Sequence, residues 1–452
     1  MSAMSSEQAR ELARRAVELT AADQAEAIVS ANESSLTRFA RNRIHQNVLE
    51  INVQVAVRAV LGTRTGTAST NRIDEDGLRA CCEAAVAAAT ASPEDPGFPG
   101  LPAPAGASGE HADRIDPATK TFAAAERAGA VRSIVTQSSS RGLEAAGTIS
   151  ASVESVTIAN SLGIDTGMAT SSVRATVLSS ADPGAAAGSG WASYYSAGPG
   201  GLDPVALGDQ AATLAERSVR PGTLDPGSYT VVLAPEAVAD ILDFLGYAGF
   251  SARAVEEGRS FMSGKLGERI VSEMISITDD ALASDAFGLT FDLEGVPKRT
   301  VPLIADGVAI GPVTDSYWAA RTGRENTGHA LPAPNPHGPL PLDLQISPGD
   351  ATIDELVSSV SRGVYVTRFH YVNIEDPIPV TLTGMTRDGT FLIENGSLTT
   401  PLKNLRFTQS AIAALGAVAG VTRDRAFFDA MLGSALAPGL LIEGWNFTGQ
   451  TE

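Results

Sequence analysis

Glu236 and Asp240 stand four residues apart in Pro235-Glu-Ala-Val-Ala-Asp240, a spacing that sets two carboxylates on one face of a helix. Two carboxylates alone are too few for Mg²⁺ or Ca²⁺, which demand more oxygen ligands. A second group of chemical side chains, Arg368, His370, Tyr371 and Asn373, lies in Thr367-Arg-Phe-His-Tyr-Val-Asn373. On a strand, alternation sets Arg368, His370 and Val372 on one face and Phe369, Tyr371 and Asn373 on the other. Such a strand can hold an extended peptide through its edge and its polar side chains.

Other candidates carry less. His329 and His337 sit in the proline-rich stretch Gly328–Pro348, and imidazole suits zinc or iron. Their separations from each other and from His370, eight and thirty-three residues, form no ligand signature. His45 reads as a hydrogen-bonded structural residue. Thr383-Gly-Met-Thr-Arg-Asp-Gly389 and Asn404-Leu-Arg-Phe-Thr-Gln-Ser410 are weaker binding candidates of the same type as the 368–373 run. The sequence holds no Gly-x-Ser-x-Gly elbow, P-loop or Cys–His nucleophile pairing.

The elements that must position these residues are legible in outline. Tyr229-Thr-Val-Val-Leu233 is a branched, β-favouring run. Pro235 follows at a helix start, where a missing N–H costs nothing. Ala237, Val238, Ile241, Leu242 and Leu245 recur at helical spacing, which predicts a helix to about Leu245 with Gly246 ending it. Toward the N-terminus, Ser5 or Ser6 caps a helix to about Leu19. Ile51, Val53, Val55 and Val57 alternate along a strand with one core face, and Asp74–Ala91 is an alanine-rich helix. Asp116-Pro117 opens a helix to about Gln137. Leu143–Ser179 reads as a meander of three runs with a turn at Asn160–Gly163, Gly184–Gly201 as a small-residue loop, and Asp203-Pro204 as a further helix start. Beyond 250 the chain is β-leaning, with strands predicted at Val271–Asp279 and Gly288–Leu293 and a capped helix from Ser347 to about Arg362. Proline- and glycine-rich breaks at 92–109 and 221–227 divide the chain into 1–105, 106–221 and 222–452.

At 452 residues and 43% hydrophobic content, the chain is globular and long enough for two or three cores. Aromatics are only 5%, so those cores are aliphatic. Lys plus Arg total 33 against 52 Asp plus Glu, and the net charge of −19 repels phosphate backbones and anionic membranes. Neither nucleic acid nor a membrane is an expected partner. Cys81 and Cys82 are adjacent in a helix and read as buried small hydrophobes in a reducing compartment. The first helix lacks the apolar core of a signal peptide, and no apolar run reaches membrane length, so a soluble cytoplasmic protein is expected.

Pro235–Asp240 resembles the His-Glu-x-x-x-His zinc signature of the TldD/PmbA peptidase family, with both histidine positions replaced. Ser35–Asn47, Gly62–Arg72, Gly264–Glu268, Asp292–Pro297, Arg362–Tyr365 and Phe391–Gly396 are similar to further blocks of that family in the same order. The resemblance implies an α+β protein with an α/β N-terminal half, a β-rich C-terminal half and a site enclosed in a cavity. It also implies a partnership between a zinc-bearing TldD-type subunit and a zinc-free PmbA (TldE)-type subunit acting on peptides. The catalytic type uses a cysteine as third ligand in its C-terminal half, whereas residues 83–452 here contain none. The resemblance therefore points to the zinc-free type, with Glu236 left in the general-base position and zinc expected in the partner. Two other readings stay open. One is a free-standing hydrolase with a rebuilt site around His337, His370 or the Glu236/Asp240 face; the other is a binding module for a modified peptide or metabolite.

Overall fold

The computed structural model describes residues 4–104, 111–181 and 188–450. The boundary expected at 105/106 and the first residues of the loop expected from Gly184 lie outside the described residues. The chain is α+β.

Its N-terminal half is one antiparallel sheet in the order β3-β2-β1-β4-β5-β6. Strands β1 (Gln24–Ala40), β2 (Arg43–Leu61) and β3 (Arg64–Thr70) precede the proline-rich connection; β4 (Glu144–Asn160), β5 (Asp165–Ser180) and β6 (Ser189–Ser196) follow it. Helices α1 (Ser6–Leu19) and α2 (Glu75–Ala91) cover one end, where Val55, Val57, Cys81 and Cys82 are buried with the alanines of both helices. Helices α3 (Pro117–Thr121), α4 (Ala124–Ser139) and α5 (Pro204–Arg217) cover the other, around Phe39, Ile134 and Ile149.

Several sequence expectations are corrected here. The helix from Pro117 is broken into α3 and α4, because Ala123 starts a new helix with Glu126 accepting from its N–H. The 189–196 stretch is a strand, since Trp191, Ser193 and Tyr195 alternate with Ala192 and Tyr194 as β6 pairs along β5. Of the alternating valine–isoleucine face in β2, only Val55 and Val57 are buried; Ile51 is 52% exposed because the helices end short of it.

The C-terminal half contains β7 (Gly227–Leu233), α6 (Pro235–Gly249), α7 (Ala252–Glu256), β8 (Ile277–Asp279), β9 (Val301–Ala305), β10 (Val308–Ala309) and α8 (Ser316–Thr322). There follow β11 (Asp343–Ile346), α9 (Ile353–Ser358), β12 (Arg362–Asp376), β13 (Thr381–Glu394), β14 (Ser397–Pro401), β15 (Leu405–Ser410), α10 (Ala411–Gly416), β16 (Val418–Asp429) and β17 (Ser434–Gln450). Strand β7 pairs with both β12 and β17, and β17-β15-β13-β12 are joined in turn. The five strands thus close a ring. The ring is filled by Phe369, Phe407 and Trp445, with Phe369 stacked on Trp445 at 5.2 Å and 10°.

Helix α6 runs to Gly249, past the expected stop at Gly246. The missing Cβ of Gly246 admits the Leu344 side chain, so this glycine serves packing and not termination. Only Ile277–Asp279 of the expected 271–279 strand pairs. Gly288–Leu293 is not a strand: Asp292 Oδ1 accepts from the N–H groups of Glu294 and Val296 and folds the segment into a turn. Helix α9 is confined to Ile353–Ser358 because Thr352 caps it and β12 begins at Arg362.

Candidate functional site

The strand-to-helix turn at Leu233–Pro235 brings Glu236 and Asp240 to the junction of the two halves. There the edge strand β6 faces α6, β12 and β16 across a cavity of about 430 Å³. Its lining includes Glu236, Asp240, Arg368, His370 and Tyr371 of the expected residues, together with Trp191, Ser193 and Arg174 from the N-terminal sheet. Pro235 starts the helix and Asn373 lies outside the lining, exposed on its strand with its amide donating to the Tyr371 carbonyl.

The period of two in β6 points Trp191, Ser193 and Tyr195 at this cavity. The Trp191 indole N–H donates to Glu236 Oε1 at 2.7 Å, and Ser193 Oγ lies 3.2 Å from Oε2. Arg368 lies over the Trp191 ring, 4.1 Å from its centre, and its guanidinium is forked onto Asp388 Oδ2 at 2.5 and 3.0 Å. Ser189 Oγ bonds the other Asp388 oxygen at 2.5 Å. On the opposite wall Arg174 pairs with Asp429 and lies over Tyr195.

Burial dominates the electrostatics. It raises the Glu236 carboxyl above the usual range, against the opposing pull of Arg368, Trp191 and Ser193. Asp240 is pushed up to about 7, by burial first and by the neighbouring Glu236 second, with Arg368 again opposing. His370 is lowered by burial and by Arg387 and Arg368. The cavity thus holds two carboxyls raised above their usual range, an imidazole lowered below its own, and a guanidinium fixed on Asp388.

The donor set does not fit zinc. Pro235 has no ligand atom, both Glu236 oxygens already accept hydrogen bonds, and no thiolate exists beyond Cys82. Among the described residues no cluster of three or more His, Cys, Asp or Glu side chains is arranged to hold a metal ion.

The expected alternation of the 368–373 run is broken. The pairing of β12 with β13 shifts between His370 and Asn373, and Tyr371 adopts a left-handed φ of 56°. This bulge throws Tyr371 outward, 76% exposed, while Phe369 stays in the core. The three histidines do not meet. His329 is buried, bonded through Nε2 to Asp279 (2.8 Å), in a network with Lys298 and Asp343 beside a second cavity of about 570 Å³. His337 is exposed near the Tyr247 ring. His45 is exposed on β2 and shows no hydrogen-bonding role among the described residues. Sequence reasoning missed Trp191, Ser193, Arg174, Asp388 and Asp429. The one local signal was the alternating Trp191-Ala-Ser-Tyr-Tyr195, obscured by the small residues around it.

A closed β-ring carrying a carboxylate-bearing helix, docked on a six-stranded sheet, defines a two-part α+β architecture with its cavity at the junction. The chain belongs to the PmbA/TldD metallopeptidase family. PmbA/TldA metallopeptidase domain 1 matches residues 25–89, the central domain 110–219 and the C-terminal domain 226–449. A metalloprotease of Methanothermobacter thermautotrophicus is 28% identical over 224 residues, 48% of each chain. A metalloprotease TldD homolog of Haemophilus influenzae is 29% identical over 255 residues, 53% of this chain and 52% of that protein. The chain thus matches about half the length of these relatives. In fold it is similar to the crystal structure of TldE from Thermococcus kodakarensis, with a TM-score of 0.86 at 18% identity over 97% of this chain and 99% of that one. A Bacteroides thetaiotaomicron protein described as a candidate modulator of DNA gyrase has a TM-score of 0.84 at 19% identity, over 98% and 99%. No helix among the described residues is long and apolar enough to cross a membrane.

Proposed function

We propose that this chain is the metal-free subunit of a two-subunit TldD/TldE-type peptidase, and that its junction cavity forms part of the wall against which a zinc-bearing partner presents and cleaves peptide substrates. The observation that carries the reading is Arg368. Its guanidinium faces Glu236 and Asp240 and opposes the rise in both their pKa values, so a side chain of this chain fills the electrostatic place of a cation. Arg368, His370, Tyr371 and Asn373 are the residues assigned to substrate contact, on a bulged strand whose outward Tyr371 is free to meet a ligand. Glu236, engaged by Trp191 and Ser193, ties the N-terminal sheet to α6 in this reading and abstracts no proton.

The test is metal counting and peptide hydrolysis on the chain alone and after co-expression with a His-Glu-x-x-x-His paralogue. The chain alone is expected to be inactive and free of stoichiometric zinc, and the co-expressed pair to be active with zinc in the partner. Tightly held metal in the isolated chain, or hydrolysis by it that is lost in His370→Ala, overturns the reading. The second outcome instead supports a self-sufficient hydrolase, which the raised Asp240 carboxyl and His370 in the lining of one cavity favour.

A further inference from the structure

Strand β2 is paired along its whole length with β1, from Ala40↔Arg43 to Gln24↔Val60. On its other side β3 covers only Val55–Leu61. Among the described residues nothing pairs with the outer edge of 43–54, which is on the order of 40 Å of strand at ~3.4 Å per residue. The edge carries Ile44 (41% exposed), Val48 (36%), Leu49 (63%) and Ile51 (52%). A long edge with exposed apolar side chains is an aggregation hazard in a chain that works alone, because its N–H and C=O groups template any passing strand. Leu49 and Ile51 share the face of Val53, Val55 and Val57. That face opens onto a trough of about 730 Å³ floored by Ala31 and Ala151 and walled by Phe122. An added strand would find both a hydrogen-bonding edge and a recess for a side chain.

Charge restricts what that strand can be. The hairpin tip next to the open edge carries Arg38, Arg41 and Arg43, all exposed and forming no ion pair among the described residues. Between 34 and 54 the sole acidic residue is Glu50, in a chain whose net charge is −19. A second copy paired antiparallel through β2 would offer three arginines on each side only that Glu50. A strand from a different, acid-bearing subunit meets both the apolar edge and the basic tip.

We infer that residues 43–54 of β2 form the docking edge for the partner subunit, which adds a strand there and sets acidic side chains against Arg38, Arg41 and Arg43. The inference rests on the two-subunit reading above. It goes beyond that reading in assigning the contact to the end of the sheet remote from α6, so the cavity wall and the grip on the partner are separate features.

The experiment compares wild type, Leu49→Lys/Ile51→Lys and Arg41→Glu/Arg43→Glu, each co-expressed with the TldD-type paralogue. Complex formation is read by native mass and by salt-dependent affinity. Backbone amide exchange of 43–54 is measured in the free chain and in the complex. Both pairs of substitutions lie at exposed positions and should leave the Tm of the free chain unchanged. Expected results are at least about tenfold weaker association for each variant, loss of the salt dependence in the arginine variant, and protection of 43–54 only in the complex. Wild-type complex with unprotected 43–54 amides, or variants that associate as tightly as wild type, overturns the docking edge while leaving the two-subunit reading standing. Absence of any wild-type complex overturns the two-subunit reading itself. Self-association of the free chain abolished by Leu49→Lys/Ile51→Lys overturns the choice of occupant in favour of a second copy.

Discussion

Replacing Asp240 by Asn tests the electrostatic account of the junction cavity. Burial and the neighbouring Glu236 raise the Asp240 carboxyl from 3.8 to about 7 in the folded chain. A raised folded pKa means the folded state prefers the protonated acid. The stabilisation is therefore complete below about pH 4, is lost as pH rises toward 7, and is absent above it. At ~1.4 kcal/mol per unit the ceiling on this loss is about 4 kcal/mol, and residual solvent contact lowers it to about 1–3 kcal/mol. The amide cannot ionise, so Asp240→Asn should match wild type near pH 4.5 and exceed its stability by that amount near pH 8. Urea denaturation of both proteins at the two pH values, followed by tryptophan fluorescence, measures the difference directly. A stability difference that does not change with pH, or an Asn variant that is weaker at pH 8, would refute the reasoning.

Two further outcomes follow from the packing. Arg368→Ala leaves Asp388, 3% exposed, without its guanidinium and should cost about 3–5 kcal/mol in urea unfolding; Arg368→Lys recovers part of this, since an ammonium cannot reproduce the fork. Phe369→Ala removes the ring stacked on Trp445 and tilted against Phe407 and should cost about 3–5 kcal/mol by the same assay, with no effect on the pH profile.

Local chemistry made some features readable in advance. The branched run 229–233, the proline at 235 and the helical spacing of apolar residues located β7 and α6, since strand and helix periods are written into consecutive residues. The Asn160–Gly163 turn and the helix starts at Asp116 and Asp203 were legible for the same reason. The bulge at Tyr371 was not, because it arises from the register between β12 and β13, which no single strand encodes. Nor was the end of α6, where the side chain of Leu344 decides what Gly246 is for.

By itself the sequence determined the carboxylate pair on α6, the proline and aspartate standing at the two histidine positions of the motif, the lack of any cysteine after Cys82, and the family blocks in order. These are statements of residue type and spacing. Only the tertiary structure decided that Trp191, Ser193 and Arg368 enclose those carboxylates, since strands β6 and β12 lie more than a hundred residues apart and meet through packing across the junction. The same holds for the open edge of β2, whose alternating residues look like core until the lengths of β3 and the covering helices show where their shelter stops.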